Sequence, residues 1–598
     1  MFKIKSVNEP EISMVKYIRK GIVAEGHTPI YKMHKYFARR PHNVFNNLIE
    51  NYSSAGDIIA DVFCGGGVTL IEGLASNRKV IAADINPMAT FITDCETTQI
   101  DLPKYLKLTS DIRKKLLVFT DKYFKTKCRI CSEESPVRWF DAAYEVVCPS
   151  CGSKTCLSNE QKSKINGKYL CEHCKKEFSS SDSKRIGTRL ISVRYYCKKC
   201  KKQNSAPVNE EDIALSNSFN RIFDELIKKN HLWIPSDRIP AEWDRQKEDC
   251  LHKKGFYQFS DFFTKRNLYF NSFFLNEIKK EKSRIEDSLY KALLFTFTAT
   301  LRYTNNMTIS TSSWMGGRPV AWAKHAFWTP NQFVEVNPIE YFDKRVKAIL
   351  SGLRYQEKII KKSKKVTTFK ELSNSDATHI IWTGSSDRLA VPDNSIDLIL
   401  TDPPYGSNVQ YGELCTFWLV WLKNELELPH DVLDLNREIL VHRKKSQYGK
   451  NHDSYFEGLL GVFKECNRIL KNEKPLVFTF NSNDVSSWYA VMKAAIKAGF
   501  YLSSDGILYQ DSIDNYKHTA HTRYSGSIQG DFILTFKKIP KASSKNLSDK
   551  TDLEIDKHIV NVVQSYLQIH RTSSISDTYF KEFEKLNKYV SKANNGKK

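Results

Sequence analysis

Four Cys-x-x-Cys pairs within 73 residues constrain the fold of this chain more than any other pattern in it. They are Cys128/Cys131, Cys148/Cys151, Cys171/Cys174 and Cys197/Cys200. Two thiolates at this spacing hold one side of a tetrahedral zinc ion, so eight thiolates predict two structural Cys₄ sites. Disulfides and redox pairs are the alternatives. Disulfides are rare in a reducing cytosol, and four redox motifs so close together would be unusual, so the pattern favours zinc.

The sequence leaves open which pairs share an ion. Sequential pairing would leave 16 and 22 residues between the two halves of each site, whereas nested pairing would join the first pair to the last. Residues 136–147 and 189–196 have the pattern of β-strands. Antiparallel pairing of these strands would bring Cys131 close to Cys197, which favours the nested arrangement.

About half of the net positive charge of the chain lies in the same region. The 598 residues carry 91 Lys and Arg against 68 Asp and Glu, a formal net charge of +23. Residues 101–210 contain 24 of the basic and 12 of the acidic side chains. A basic excess favours a polyanionic partner such as nucleic acid, although lysine-rich composition also serves solubility alone. We expect the cysteine-rich segment to hold phosphates of a nucleic acid.

The length of 598 residues exceeds what one hydrophobic core organises, because single cores stop growing near ~250–300 residues. No stretch approaches the ~18–20 apolar residues that a membrane span requires. The first residues also lack the apolar segment of a secretory signal. These features predict a cytoplasmic protein of several domains with no membrane partner.

A strand, a glycine-rich turn, a helix, a second strand and an acid follow one another between residues 57 and 84. The turn is FCGGGVT, and Asp84 lies 17 residues beyond Gly67. Glycines allow the backbone to approach a cofactor closely, and an acid at the end of the second strand can bind ribose hydroxyls. The order predicts the first part of a Rossmann-like cofactor-binding sheet.

The strand pattern then stops and resumes nearly 300 residues later, at 379–382 and 396–400, with further strands at 476–480, 501–509 and 531–536. A compact domain does not contain so long a loop, so the interruption is expected to form modules of its own. The predicted fold is therefore an α/β sheet interrupted by a large insertion. Its expected parts are the N-terminal segment and first half of the sheet domain (1–100), a zinc-ribbon insertion (101–210), a mostly helical target-recognition region (211–375), the second half of the sheet domain (376–540) and a helical or partly disordered tail (541–598).

Asp402-Pro403-Pro404-Tyr405 follows directly after one of these strands, where a doubly wound sheet binds its ligands. Proline lacks an N–H donor, which leaves the Asp402 carboxylate and the Pro403 carbonyl as acceptors. Two converging acceptors suit the two N–H bonds of an exocyclic amino group, and the Tyr405 ring can stack on a planar base. An ordinary turn is the alternative, but the glycine-rich turn and the distal acid favour an amino-group site.

FCGGG at 63–67 and DPPY at 402–405 resemble motifs I and IV of the DNA methyltransferases that act on adenine N6. The chain most resembles the zinc-ribbon-containing members of that adenine-specific family. These members carry a similar ARRP segment before motif I, a zinc-ribbon insertion, and a run like NVQYGELCTFWLVWL after DPPY. The resemblance covers roughly residues 27–95 and 378–538 and the cysteine-rich region.

The resemblance implies S-adenosylmethionine as the cofactor and double-stranded DNA as the substrate. It implies a cofactor site made of Lys35, Phe37, Asp61, Phe63, Gly65, Gly67 and Asp84, in which Asp84 would bind the ribose. It implies a base site made of Asp402, Pro403, Pro404 and Tyr405. Many relatives carry an acid after the third strand; here TGSSDRLA leaves Ser385 or Asp387 for that contact.

The resulting prediction is methyl transfer to N6 of a flipped adenine, in restriction–modification or phage defence and beside partner proteins of such a system. Gly316-Gly317-Arg318 is a candidate for contact with the DNA. One alternative is a methyltransferase acting on guanine N2 of tRNA, because DPPYG also resembles those enzymes. Cytosine N4 is less favoured, because those relatives more often carry serine in place of Asp402. A zinc-ribbon scaffold that binds nucleic acid without catalysis is the non-enzymatic alternative.

Overall fold

The structure is a computed structural model. It describes residues 17–18, 20–310, 318–426, 428, 435–442, 450–510, 530–540, 543, 546–570, 581 and 583–590. Of the predicted DNA-contacting loop, Arg318 is described, whereas Gly316 and Gly317 lie outside the described residues. Across the described ranges, no helix combines the length and the apolar character that a membrane span requires.

Residues 42–97 alternate between helices and strands, as the sequence pattern predicts. The elements are α1 (His42–Tyr52), β1 (Ile58–Asp61), α2 (Val68–Ala75), β2 (Lys79–Asp84) and α3 (Pro87–Thr97). The strands β1 and β2 are almost continuously buried, which is typical of strands covered on both faces. The Asn86 side chain accepts a hydrogen bond from the Met88 N–H and so caps α3, whose first residue is a proline.

The next segment begins with a helix, continues with a small antiparallel sheet and ends in helices. The elements are α4 (Leu102–Tyr123), β3 (Lys125–Lys127), β4 (Glu134–Val147), β5 (Lys154–Cys156), β6 (Lys168–Leu170), β7 (Glu177–Ser179), β8 (Arg185–Cys197), β9 (Lys202–Pro207), α5 (Glu210–Lys229), α6 (Asp244–Asp249), α7 (Leu251–Lys254), α8 (Lys265–Lys279), α9 (Asp287–Leu301), β10 (Ile309–Ser310), β11 (Pro319–Val320), β12 (Gln332–Val336), α10 (Pro338–Ile359) and α11 (Phe369–Asn374). The long strands β4 and β8 pair antiparallel at the centre of a sheet ordered β12-β4-β8-β9. The two predicted strands of this segment therefore pair as expected.

The last segment returns to alternating strands and helices. Its elements are β13 (His379–Thr383), β14 (Leu398–Thr401), α12 (Tyr411–Leu422), α13 (His452–Ile469), β15 (Pro475–Phe480), α14 (Val485–Lys497), β16 (Phe500–Tyr501), β17 (Ile507–Gln510), β18 (Asp531–Lys538) and α15 (Asp552–His570). The helix α15 agrees with the helical pattern of the tail sequence.

The main sheet combines strands from both ends of the chain in the order β13-β2-β1-β14-β15-β18-β16, with β17 also paired to β18. The strand β1 lies parallel to β14, with Ile59 opposite Leu398 and Ala60 opposite Ile399. The five strands from β13 to β15 are parallel, whereas β18 is antiparallel to β15. The predicted α/β sheet is thus confirmed as a mixed, largely parallel sheet. The carboxyl ends of its parallel strands meet at one edge, where such sheets bind ligands.

The prediction of one strand over residues 501–509 is wrong. The strands β16 and β17 both pair with β18 but are separated by a short 3₁₀ turn, Ser504–Gly506. Residues 502–506 lie opposite only 535–536 of β18, so the chain bulges away from the sheet. Leu502 within this bulge is fully buried, which explains why the hydrophobic pattern reads as an unbroken strand.

Two hydrophobic cores lie on opposite faces of the main sheet. Along β14, Leu398 and Leu400 belong to one core and Ile399 to the other, as the alternation of a strand requires. The core that contains Leu398 continues into the inserted helices, which include α8, α9 and α10. The Trp418 indole N–H of α12 donates to the Thr298 carbonyl of α9 at 3.0 Å. The segment after DPPY therefore packs directly against the inserted helices.

The close crossing of α10 over the N-terminal segment yields a stability prediction. A Cβ atom at Gly352 would lie 2.2 Å from Met33 Cγ and 3.1 Å from the Pro29 carbonyl oxygen. We expect Gly352→Ala to destabilise the fold by about 1–3 kcal/mol through overpacking, seen as a lower Tm. Gly461→Ala in α13 is the matched control, because the added Cβ atom would lie 3.7 Å from its nearest neighbour, Asp387 Cβ. It should be neutral or stabilising by up to about 1 kcal/mol, and equal Tm values for both variants would contradict the assigned crossing.

Candidate active site at the carboxyl ends of the strands

A pocket with an empty volume of about 880 Å³ opens at the carboxyl edge of the main sheet. The predicted site residues that line it are Phe37, Asp61, Phe63, Gly65, Asp84, Asp402 and Pro404. The glycine-rich turn after β1 and the DPPY sequence after β14 therefore share one cavity.

The predicted cofactor end is organised around two carboxylates. The Asp84 carboxylate accepts hydrogen bonds from the Gly65 N–H at 2.8 Å and the Asn86 N–H at 2.9 Å. The Asp61 carboxylate accepts from the Thr401 hydroxyl at 2.7 Å and from the Phe63 N–H at 3.2 Å. Each carboxylate is oriented by these donors and keeps further lone pairs available for a ligand.

The backbone of the glycine-rich turn comes close to the segment that precedes it. Gly65 has φ of 45°, and a Cβ atom there would lie 2.9 Å from the Tyr36 ring. Gly67 directly precedes α2, and a Cβ atom there would lie 2.8 Å from the Thr93 hydroxyl oxygen. A side chain would not fit at either position, so both glycines allow the turn to pack tightly beneath the pocket.

The base end of the pocket is a hydrogen-bonded network around Asp402. Its Oδ1 atom accepts from the Tyr405 hydroxyl at 2.6 Å and from the Thr479 hydroxyl of β15. Its Oδ2 atom accepts from Arg40 Nε at 2.8 Å. The Pro404 carbonyl accepts from the Tyr455 hydroxyl, whereas no described residue donates to the Pro403 carbonyl. The turn thus retains the Pro403 carbonyl as an acceptor without a partner in the described part of the chain.

Arg40 occupies the place next to DPPY that a planar base would need. Its guanidinium carbon lies 4.9 Å from the centre of the Tyr405 ring, while its nitrogens bind Asp402 and, at 2.6 Å, Asp531. An amino-bearing base requires the same aromatic face and the same carboxylate oxygen. A base held by this aromatic face and this carboxylate, as predicted, would therefore have to displace Arg40.

Several predicted residues lie beside the pocket rather than in its wall. Lys35 is one of them. Its ammonium lies 5.7 Å from the centre of the Phe37 ring, and Phe37 lines the pocket whereas Lys35 does not. Gly67, Pro403 and Tyr405 also do not line the pocket. Of the two residues considered after the third strand, Ser385 lines the pocket, whereas Asp387 is half exposed and lies 3.7 Å from Arg437.

Sequence reasoning did not predict Arg40 and Glu438, which line the pocket, or Thr479 and Asp531, which bond Asp402 and Arg40 beside it. Arg40 belongs to the ARRP segment, so the sequence indicated its motif but not its bond to Asp402. Thr479 and Asp531 sit at ends of predicted strands, which is a weak signal for a site at the sheet edge. Glu438 lies in a loop without a recognisable pattern, and sequence reasoning had no means to find it.

Burial perturbs the acids of this pocket. It raises the pKa of Asp61 to about 7, that of Asp84 to about 6 and that of Glu438 to about 7. Burial also raises the pKa of Asp402, and the adjacent Arg40 opposes this effect. One oxygen of Glu438 accepts from the Gly412 N–H at 2.9 Å, while its buried Oε2 has no partner among the described residues. Such an atom is suited to a donor on a ligand.

The eight cysteines of the four pairs form two tetrads. Cys128, Cys131, Cys197 and Cys200 make the outer tetrad, and Cys148, Cys151, Cys171 and Cys174 make the inner one. Within each tetrad the sulfurs lie within 4.8 Å of one another. A zinc ion with Zn–S bonds of about 2.3 Å requires sulfur–sulfur distances of about 3.8 Å, so both tetrads fit a tetrahedral zinc ion. The nested arrangement is the one that the structure adopts.

All four pairs share the same turn geometry. The residue after each second cysteine has a positive φ, between 51° and 73°: Ser132, Gly152, Lys175 and Lys201. The outer tetrad follows from the antiparallel pairing of β4 and β8, which brings their flanking turns together. Backbone N–H groups of Cys200 and His173 lie 3.3–3.4 Å from sulfurs of Cys197 and Cys171, as expected for thiolate ligands.

Two comparisons with known proteins bear on this site. Residues 10–92 and 396–596 match a family model described as DNA methylase, which groups N6 and N4 methyltransferases. A segment of 70 residues is 33% identical to the Type II methyltransferase M.MvaI of Kocuria varians. That segment is 12% of this chain and covers 15% of the length of the relative. Both comparisons support a DNA methyltransferase, and the family match leaves out residues 93–395, which contain the tetrads.

The tetrads predict two zinc ions in each chain. Cys128→Ala/Cys131→Ala should lower the zinc content to one ion, because the two remaining sulfurs of the outer tetrad cannot complete a tetrahedron. Cys156→Ala is the control, since Cys156 is buried in the same segment but belongs to neither tetrad. Elemental analysis of the purified proteins measures the difference. Wild-type protein without zinc, or a Cys156 variant that loses an ion, would contradict the assignment.

Proposed function

We propose that this chain transfers a methyl group from S-adenosylmethionine to the exocyclic N6 of adenine in double-stranded DNA. One observation carries the proposal: Asp402 of DPPY and Asp84 after the second strand line the same pocket, although 318 positions separate them in the sequence. An amino-group site and a ribose site in one cavity suit a reaction between a base and a nucleoside cofactor.

The residues of the cofactor end fit S-adenosylmethionine chemically. The cofactor supplies an electrophilic methyl group on a sulfonium ion. Asp84 would accept from the ribose hydroxyls, in an orientation that its bonds to the Gly65 and Asn86 N–H groups already hold. Asp61, Phe63, Gly65 and Gly67 would surround the methionine and sulfonium end, with Lys35 and Phe37 in support. The unpartnered Oε2 atom of Glu438 offers a further acceptor for a hydroxyl or ammonium donor.

At the base end, the structure suggests which oxygen of Asp402 receives the amino group. Tyr405 and Thr479 both donate to Oδ1, so this oxygen is held in place. The other oxygen, Oδ2, is bonded by Arg40 and becomes available when Arg40 moves away. Oδ2 and the Pro403 carbonyl would then accept the two N–H bonds of N6, while Tyr405 stacks on the ring and Pro404 shapes the turn. The target adenine must leave the duplex to reach them.

The chemistry needs alignment more than it needs a strong base. Holding the amino group by both hydrogens directs the nitrogen lone pair toward the methyl group, and proximity supplies much of the rate enhancement. The carboxylate of Asp402 favours adenine over cytosine, because the similar enzymes that act on cytosine N4 more often carry serine there. The likeness to a Type II methyltransferase supports a role in restriction–modification. A role in phage defence and partner proteins of such a system are further parts of the proposal.

Identification of the methylated nucleoside tests the proposal directly. With labelled S-adenosylmethionine and duplex DNA, the wild-type protein should yield N6-methyladenine, and Asp402→Ala should lower transfer by at least about 100-fold. Asp402→Ala should still bind DNA, because the substitution removes no phosphate contact. Asp549→Ala is the control, since Asp549 is exposed and does not line the pocket. N4-methylcytosine, N2-methylguanine from RNA, or DNA binding without any transfer would each contradict the proposal.

The pH dependence of transfer should respond to Arg40. Asp402 is the stronger acceptor for an N–H bond of N6 when it is ionised, and burial raises its pKa while Arg40 lowers it. Arg40→Ala removes the lowering charge, so the pKa of Asp402 rises and activity is lost at a higher pH as the solution is acidified. The acid limb of kcat/KM for DNA, which reports groups of the free enzyme, should move up by roughly 1 pH unit. Arg40→Lys retains the charge and should shift the limb less; coincident limbs in all three proteins would contradict the role of Arg40.

A further inference from the structure

One surface outside the pocket and the tetrads gathers positive charge around stacked aromatic rings. Tyr303, just after α9, stacks on Tyr341 of α10, with the ring centres 4.7 Å apart and an angle of 28° between the ring planes. The guanidinium carbons of Arg302 and Arg345 lie 5.7 and 5.1 Å from the Tyr303 ring, and Lys344 Nζ lies 4.1 Å from the Tyr341 ring. We refer to these five residues, together with Arg194, as the Tyr303 patch.

Arg194 extends the patch onto the antiparallel sheet. Its guanidinium carbon, on β8, lies 5.0 Å from the ring of Trp139 on β4. Trp139 shares a small hydrophobic cluster with Tyr341, and Tyr303 packs against that cluster. Cations from two helices and from one face of the sheet therefore surround one continuous cluster of packed side chains.

Three of the four cations of the patch lack an acidic partner in the described part of the chain. Among the described residues, Arg194, Arg302 and Arg345 form no ion pair with a carboxylate. Lys344 reaches Glu340 only at 4.0 Å, and Glu340 is already paired with Arg138 at 2.9 Å. Burial is the main cause that lowers the pKa of Lys344 and of Arg302; Glu340 opposes it at Lys344, and Arg345 adds to it at both. Like charges gathered without counter-charges repel one another, and a bound anion would relieve that repulsion.

Two further acids near the patch, Asp141 and Asp343, form no ion pair with its cations. Asp141, on the same face of β4 as Trp139, accepts from the Ser192 hydroxyl at 2.7 Å. Asp343 on α10 is bonded by Arg113 at 2.7 and 2.9 Å. In the cysteine-rich segment, by contrast, many cations are paired: Arg129 with Asp212, Lys168 with Glu177, and Arg189 with Glu145 and Glu172. The Tyr303 patch therefore has more uncompensated charge than those parts of the basic segment.

The patch adjoins the wall of the pocket. The Phe37 ring, which lines the pocket, contacts the Trp322 ring at 5.4 Å. Arg302 Nε donates to the Trp322 carbonyl at 2.7 Å. Lys35, with a pKa lowered to about 7 by burial and by Arg302, lies over the other side of Phe37. A polyanion on the patch would thus run beside the cavity in which the base is to react.

We propose that the Tyr303 patch binds the phosphate backbone of duplex DNA next to the flipped base, an inference that rests on the proposed function. Duplex DNA presents a negative charge about every 1.7 Å along its axis, which matches a row of cations on separate elements. Arginine suits this role, because its planar fork can donate to two phosphate oxygens while its face rests on an aromatic ring. The patch reads no sequence; it holds the duplex in register with the pocket.

The test is the salt dependence of DNA affinity. Lys344→Gln/Arg345→Gln changes the helix side of the patch, and Arg194→Gln changes the sheet side. The slope of log Kd against log salt should fall by roughly 1.8 for the double variant and roughly 0.9 for the single one, as each lost phosphate contact predicts. Lys557→Gln/Lys588→Gln is the charge-matched control, because both lysines are exposed and lie outside the patch. Its slope should equal that of the wild type, measured by fluorescence anisotropy with a labelled duplex.

Two further measurements separate the possible failures. The Tm of each patch variant should equal or exceed that of the wild type, because the substitutions remove uncompensated charge. If the double variant unfolds, the salt dependence of DNA affinity in the Arg194→Gln variant alone tests the patch. Wild-type slopes in both folded variants, in a protein that methylates DNA, would overturn the patch alone. A wild-type protein that does not bind duplex DNA, or that binds only RNA, would overturn the proposed function as well.

Discussion

The parallel pairing of β1 with β14 is the constraint on which the rest of this structure depends. It joins Ile59 to Leu398 across 339 positions of sequence, and it places the glycine-rich turn and DPPY at one edge of the sheet. Side chains reinforce the junction at that edge: the Thr401 hydroxyl donates to Asp61, and the Phe63 N–H donates to Thr401 Oγ1 at 3.0 Å. Without this pair of strands, the two ends of the pocket would belong to different parts of the chain.

The pocket is organised before any ligand arrives. Asp84, Asp61 and Asp402 are each held by donors from the backbone or from neighbouring strands, so little reorientation remains when a substrate binds. The burial that raises the pKa values of these acids also strengthens their interactions with donors of a ligand. Arg40 offsets part of that burial at Asp402 and marks the place that the base would take.

In the inserted segment, the cysteine tetrads and the cations of the Tyr303 patch lie in different places. The nested tetrads lie at the ends of the long strands β4 and β8, most of whose buried side chains belong to the core that continues into the inserted helices. Several cations near the tetrads form local ion pairs, while Arg194, Arg302 and Arg345 have no carboxylate partner among the described residues where α9, α10 and the sheet meet. The arrangement separates structural cysteines from the surface that we assign to the DNA backbone.

The sequence alone determined the features that depend on neighbouring residues. The strand ends that carry Asp84 and Asp402, the four cysteine pairs with their turns, and the strand pattern of β4 and β8 could all be predicted, because each has a short-range signature. The antiparallel strand pattern even favoured the nested tetrads that the structure adopts. The tertiary structure alone decided that Arg40 reaches Asp402 and Asp531, that Glu438 enters the pocket, that Lys35 lies beside it, and that the cations of the Tyr303 patch converge. These contacts join residues far apart in the chain, whose meeting depends on strand order and helix packing and leaves no pattern in the local sequence.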